Sequence, residues 1–222
     1  MTELGMRLLD LTHPVHTGMP VWPGDPQVLL RPAARIATHG YNLLELHLGS
    51  QSGTHVEAPS HVDDALPGLD ELPLHRFIGE AVVADLRGLA DGTPIGPAHL
   101  ATVRERLAPG VVLLLCTGWS VYWGSERYAA HPWLDPAAAE LVVAAGVRTV
   151  GIDASSIDAT DAVALPSHHV LAAAHAVIAE NLTGLPDLLV AGPATVWLLP
   201  LALAGAEGSP VRAVARVTSG RA

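Results

Sequence analysis

The sequence predicts an α/β domain. Three observations carry that reading. Apolar runs of strand character recur along the chain, at AVVADLRG (81–88), VVLLLCTG (111–118) and VRTVGID (147–153). Between them stand segments with helix boundaries, of which DPAAAELVVAAG (135–146) is the clearest. The chain has 222 residues, half of them apolar, enough for one buried core without covalent staples. No internal repeat, low-complexity tract or long linker divides it, so residues 1–222 are expected to form one domain.

The elements follow in order. LLDLTHPVHTGMPVWPGDP opens with a short apolar run at Leu8 to Leu11 and becomes turn-rich from Pro14 to Pro26. In NLLELHLGS, Leu44, Leu46 and Leu48 alternate with Glu45 and His47, the period of a strand with one buried face. Carried onward, that parity puts Gln51, Gly53, His55 and Glu57 on one polar side until Pro59 ends regular pairing. The runs at 81–88 and 111–118 read as strands, the second fully buried, with PAHLATVRERL between them as a helix. In 135–146, Asp135 is placed to cap a helix, Pro136 takes its first position and Gly146 ends it. A strand is expected at 147–153 and a short helix at SHHVLAAAH (167–175) with Ser167 as its cap. AVIAENL, VWLLPLAL and VRAVARV read as further strands. The apolar stretch 188–206 is long enough to span a bilayer. Its prolines and glycines argue instead for two buried strands with a bend.

Charge narrows the partners. There are 22 acidic and 12 basic residues, a formal charge of −10. Nucleic acid and anionic membranes are disfavoured, and a small-molecule substrate is expected. An acidic substrate stays possible, because one arginine or one metal ion reverses the local field. Cys116, the only cysteine, lies in VVLLLC and reads as a small core residue. The opening residues lack the layout of a secretory signal, so a cytoplasmic protein is expected.

The stretch SQSGTHVEAPSH (50–61) concentrates ligand-type side chains. On an extended segment Gln51, His55 and Glu57 project from one face. A divalent ion accepts imidazole nitrogen, carboxylate oxygen and, less often, amide oxygen. Gly53 leaves room for close approach. A wet strand end explains the same spacing equally well.

GTHVEAPSH resembles the signature of the metal-dependent cyclase family, whose members include bacterial kynurenine formamidase and isatin hydrolase. The family pattern is H-x-G-T-H-x-D-x-P-x-H. Here Gln51-Ser52-Gly53-Thr54-His55-Val56-Glu57-Ala58-Pro59-Ser60-His61 agrees at five of its seven specified positions. DLTHPVHTGMPVWPGDP, LLLCTGWSVYWG, HPWLD, VGIDASSID, LPSHHVL, IAENL and the closing LPLALAGAEGSPVRAVA extend the likeness over nearly the whole chain. The resemblance implies a swivelling β/β/α barrel-like α/β domain that forms a homodimer or homotetramer. It implies that His55, Glu57, His168 and Glu180 are metal ligands and that His61 is the catalytic histidine. Gln51 stands where the family has its first ligand histidine, and Glu57 where it has an aspartate. Glutamine is a weaker, neutral oxygen donor, and the extra methylene of Glu57 displaces its carboxylate by roughly 1.5 Å. One zinc or manganese ion is therefore expected rather than two.

The implied chemistry is hydrolysis of a small cyclic or acyl amide, or of a lactone, by metal-activated water. A histidine at position 61 suits a general base and acid, because the imidazole of free histidine exchanges protons near neutrality. The same residues would serve a cyclase or dehydratase of secondary metabolism. A metal- or small-molecule-binding protein without catalysis is a reading of another class.

Other residues carry two readings each. His168 is preferred over His169 and His175 because it follows the Pro-x-His pattern of the resemblance. Trp22 and Asp25, in a rigid turn, either wall a substrate pocket or anchor the turn. Asp153 and Asp158 sit after a strand, at a favoured site location or in turns and caps. Trp119, Tyr122 and Trp123 read as packing, and Arg212 as half of a structural salt bridge.

Overall fold

A computed structural model describes residues 7–218. Its strands are β1 (Arg7–Asp10), β2 (Leu29–Ala34), β3 (Leu43–His47), β4 (His55–Glu57), β5 (Ile78–Asp85), β6 (Pro94–Ile95) and β7 (Val111–Cys116). Then follow β8 (Trp133–Leu134), β9 (Thr149–Ile152), β10 (Val177–Glu180), β11 (Ala194–Trp197), β12 (Gly208–Pro210) and β13 (Val214–Val217). The α-helices are α1 (Ile36–His39), α2 (Pro136–Ala144), α3 (Pro166–Ala173) and α4 (Leu185–Ala191).

Nine strands form one sheet in the order β1-β13-β11-β5-β7-β9-β10-β4-β12. Its centre, β5-β7-β9-β10, is parallel. Such strands are buried on both faces and need continuous apolar sequence. VVLLLC supplies it: Leu113 and Leu115 enter one core, and Val112, Leu114 and Cys116 the other. Ala138, Ala139 and Val142 of α2 and Leu171 of α3 pack into the first core, Leu185 and Leu188 of α4 into the second. The expected α/β domain is thus observed, with a long sheet between two layers.

Strand β4 decides where the chemistry goes. It pairs antiparallel with β10, setting His55 opposite Glu180 and Glu57 opposite Ile178. Val56 and Ala179 enter the second core. Alternation then turns His55, Glu57 and Glu180 to the other face, beneath α3.

Several expected elements differ. PAHLATVRERL is not an α-helix but two 3₁₀ turns, Pro97–Leu100 and Arg104–Arg106. Its buried Leu100 and Val103 are spaced by three, the period of that tighter helix. β3 is a strand, but every residue in it is exposed, because it pairs only with β2 in a two-stranded arm outside the main sheet. The parity expected from Leu44 to Glu57 is broken at Gly49–Gly53, where Gly53 takes φ +68° and turns the chain. The stretch 188–206 is the end of α4, then β11, then an irregular run with Leu199, Leu201 and Leu203 exposed. Ser167 does not cap α3: its hydroxyl donates to the Leu134 carbonyl, while the Asp158 carboxylate accepts the Ser167 and His168 amides. Asp135 and Gly146 bound α2 as expected. Among the described residues no helix is long and apolar enough to cross a membrane.

Candidate metal centre

His55, Glu57, His168 and Glu180 meet in the buried space between β4, β10 and α3, none more than 3% exposed. His55 Nε2 is 3.4 Å from Glu57 Oε1 and 3.7 Å from Glu180 Oε2. His168 Nε2 is 3.1 Å from Glu57 Oε2 and 3.5 Å from Glu180 Oε1. Two triads emerge, His55–Glu57–Glu180 and Glu57–His61–His168, each with ligand atoms within 4.8 Å of one another. Glu57 belongs to both.

The far side of each ring fixes what faces inward. His55 Nδ1 lies 2.8 Å from the Gly53 carbonyl, which only accepts, so Nδ1 carries the hydrogen. His168 Nδ1 lies 2.7 Å from Asp158 Oδ2 and donates to it. Both rings therefore aim Nε2 at the carboxylates. Glu57 Oε2 and His168 Nε2 are buried and, although 3.1 Å apart, are not aligned for a hydrogen bond to each other and have no other partner. Buried polar atoms are rarely left so. A divalent cation would accept both imidazole nitrogens and both carboxylates, and the residues fit one.

Electrostatics agree. Burial works against the charged forms of His55 and His168, but Glu57 beside them, with Glu180 and, for His168, Asp158, outweighs it and raises both. Burial likewise opposes ionisation of Glu57, and His168, His55 and His61 hold its carboxyl well below the usual range. The centre favours positive charge between Glu57 and Glu180.

His61 stands at the edge, with its side chain 28% exposed and Nε2 3.8 Å from Glu57 Oε1. Gln51, expected among the ligands, lies beside His61, with its amide nitrogen 2.9 Å from His61 Nδ1. The turn at Gly49–Gly53 removes it from the parity that would have aligned it with His55 and Glu57.

A cavity of about 610 Å³ opens over the centre, and Trp22 and Asp25 are among the residues that line it. Trp123, read as packing, lines it too; it stacks on His13 with centroids 4.3 Å apart, whereas Trp119 is core. His169 is exposed, and His175 lies beyond α3 at φ +53°, so neither competes with His168. Asp153 is structural: buried, with its carboxyl raised by burial, it accepts the Thr117 and Gly118 amides at the end of β7. Arg212 forms the expected ion pair, with Asp10. Cys116 is buried, and burial pushes its thiol up to about 12.

Sequence reasoning missed Asn181 and Tyr128. Asn181, at φ +54°, donates to the Gly53 carbonyl at 3.1 Å and accepts from the Tyr128 hydroxyl at 2.9 Å. The carbonyl that orients His55 is thereby held in place. The one available signal was an asparagine directly after Glu180, a residue type that tolerates left-handed backbone.

The profile of the family described as "Putative cyclase" matches residues 9–159. The chain belongs to the cyclase family. This cyclase-family chain is 34% identical over 215 residues to a kynurenine formamidase of Salinibacter ruber, covering 95% of the chain and 98% of the relative. A kynurenine formamidase of Bordetella petrii is 32% identical over 216 residues with the same coverage. Among solved structures, isatin hydrolase A from Labrenzia aggregata, bound to benzyl benzoate, superposes with a TM-score of 0.87 at 25% identity, covering 97% of this chain and 95% of that one.

Proposed function

We propose that this chain is a metal-dependent hydrolase of a small cyclic or acyl amide, cleaving a carbon–nitrogen bond other than a peptide bond, or the equivalent lactone. The observation that carries the reading is the buried His55–Glu57–His168–Glu180 cluster with its two orphaned atoms, at the floor of a cavity of small-molecule size. Its relatives, the kynurenine formamidases and isatin hydrolase A, bear the names of enzymes of this kind.

One divalent ion would be held by His55, Glu57, His168 and Glu180. Two carboxylates balance one divalent charge, and a second ion would bring uncompensated charge into a buried site. Mixed imidazole and carboxylate donors suit zinc or manganese. Such an ion lowers the pKa of water, to about 7 with zinc, and polarises a carbonyl. His61, at the boundary between cluster and cavity, takes a proton from the attacking water and returns it to the leaving nitrogen. Gln51 holds the His61 ring by Nδ1; with its amide turned over, so that Oε1 accepts from Nδ1–H, Nε2 is left free to accept the proton. Glu57 and Glu180 bind and do not shuttle protons.

Replacing His61 with alanine should lower turnover by about 10²–10⁴-fold and leave metal content unchanged. Loss of metal with the ring would make His61 a ligand. Elemental analysis of metal-supplemented wild-type protein should find close to one ion per chain. Two ions would overturn the count, and none the hydrolase reading.

The same reading includes a homodimer or homotetramer in the cytoplasm. The β2–β3 arm supports the assembly: Leu43, Leu44 and Leu46 are each more than half exposed, and a lone two-stranded unit is marginal in water. A second copy is its natural cover. Light scattering should show a dimer or tetramer that Leu44→Glu with Leu46→Glu reduces to monomer; a monomeric wild type would reject it.

A further inference from the structure

All 12 basic residues of the chain are arginines, and none of the described residues that line the cavity is one of them. Arg127 comes nearest in sequence, between the lining residues Glu126 and Tyr128, but it is committed elsewhere. It pairs with Asp91 at 2.8 Å, and its guanidinium lies 4.2 Å from the centroid of the Tyr122 ring. An ion between Glu57 and Glu180 is balanced by them and adds no surplus positive charge. Two further carboxylates remain on the wall, Asp25 and Glu126. Asp25 shares the cavity with His55 and His61; burial opposes its ionised form, and positive charge on those two rings would favour it. The other large surfaces are the rings of Trp22, Trp123 and Tyr128.

From this we infer that the cavity selects by charge: it takes a neutral or cationic aromatic amide and rejects an anionic one. An anion entering the cavity loses hydration, meets no guanidinium or ammonium, and faces Asp25 and Glu126. A cation finds those carboxylates and aromatic faces that attract it. A neutral aromatic ring needs only the apolar walls. Nothing in the overall charge of −10 offsets the preference. The inference depends on the hydrolase reading for which bond is cleaved, but not for which charge is admitted.

Three formanilides with one leaving group test it. They carry a para CH2NH3⁺, CH2OH or CH2CO2⁻ group, so that the methylene insulates the reacting nitrogen from the substituent. Binding to zinc- or manganese-loaded protein is followed by tryptophan fluorescence, and hydrolysis by release of the aniline. The anionic compound should bind about tenfold or more weakly than the other two, with the difference carried in KM, and 0.5 M salt should narrow the gap. Asp25→Asn with Glu126→Gln should narrow it as well. Equal or tighter binding of the anionic compound, or binding of none of the three, overturns the charge selection. Charge-ordered binding without hydrolysis of any compound leaves the selection standing and removes formanilide-type amides from the proposed function.

Discussion

Glutamine in place of Glu57 is expected to weaken divalent-metal binding by roughly 1000-fold or more and to abolish turnover. The size of the effect follows from the position of Glu57. It is the one residue common to both candidate triads, and one of its oxygens already lies buried without a partner. The substitution keeps volume and shape but removes the charge that opposes His55, His61 and His168. Changes to groups that merely support a ligand cost ten- to a hundred-fold. Removal of a charged ligand from a buried site should exceed that range. Affinity is read by competition with a fluorescent chelator, and metal content by elemental analysis. Affinity within tenfold of wild type would mean that Glu57 is not a ligand. Folding should survive, because one of two adjacent buried carboxylates has been neutralised.

Asparagine in place of Asp158 should act in two ways at once. The carboxylate accepts from the Ser167 amide, the His168 amide and His168 Nδ1, so it starts α3 and aims the histidine that α3 carries. Burial raises its carboxyl, but the bonds from His168 and Ser167 win and leave it below the ordinary value. An amide can replace one accepting oxygen, and its NH2 then faces a donor. Metal affinity should fall ten- to a hundred-fold, the usual cost of removing the partner behind a metal-ligating histidine. The metal-free protein should also lose about 2–3 kcal/mol, the worth of hydrogen bonds to a charged group. For a chain of this size that is roughly 4–12 °C in Tm. A fall in Tm with unaltered affinity would reduce Asp158 to a helix cap. A fall in affinity with unaltered Tm would make it solely a support for His168.

Much of this was legible in the sequence, and the exceptions have physical causes. VVLLLC announced a strand buried on both faces because the central strands of a parallel sheet have no wet side. Asp135, Pro136 and Gly146 marked α2 because caps act locally. The alternation in NLLELHLGS correctly indicated a strand but not its surroundings: periodicity reports a pattern and cannot show whether a core lies beneath it. Gln51 was misaligned because one glycine at positive φ ends a parity count. His168 and Glu180 could be joined to His55 and Glu57 only through the family resemblance. The antiparallel seam between β4 and β10 that brings Glu180 to His55, and the packing of α3 that brings His168 to Glu57, leave no trace in local spacing. Asn181 escaped notice for a similar reason: its partners, Gly53 and Tyr128, are remote in the chain.

That seam also sets a schedule. The two halves of the cluster are separated by more than a hundred residues, and β10 inserts between β9 and β4 only after both exist. At ordinary synthesis speeds, His55 and Glu57 wait on the order of 10 s for Glu180 to emerge. Until His168 and Glu180 follow, they form half a site, with too few donors to retain an ion. An ion held by all four residues would therefore be captured late, closing the fold rather than seeding it. A nascent chain halted before residue 166, which lacks both His168 and Glu180, should be indifferent to zinc, while the finished chain should gain resistance to proteolysis from it.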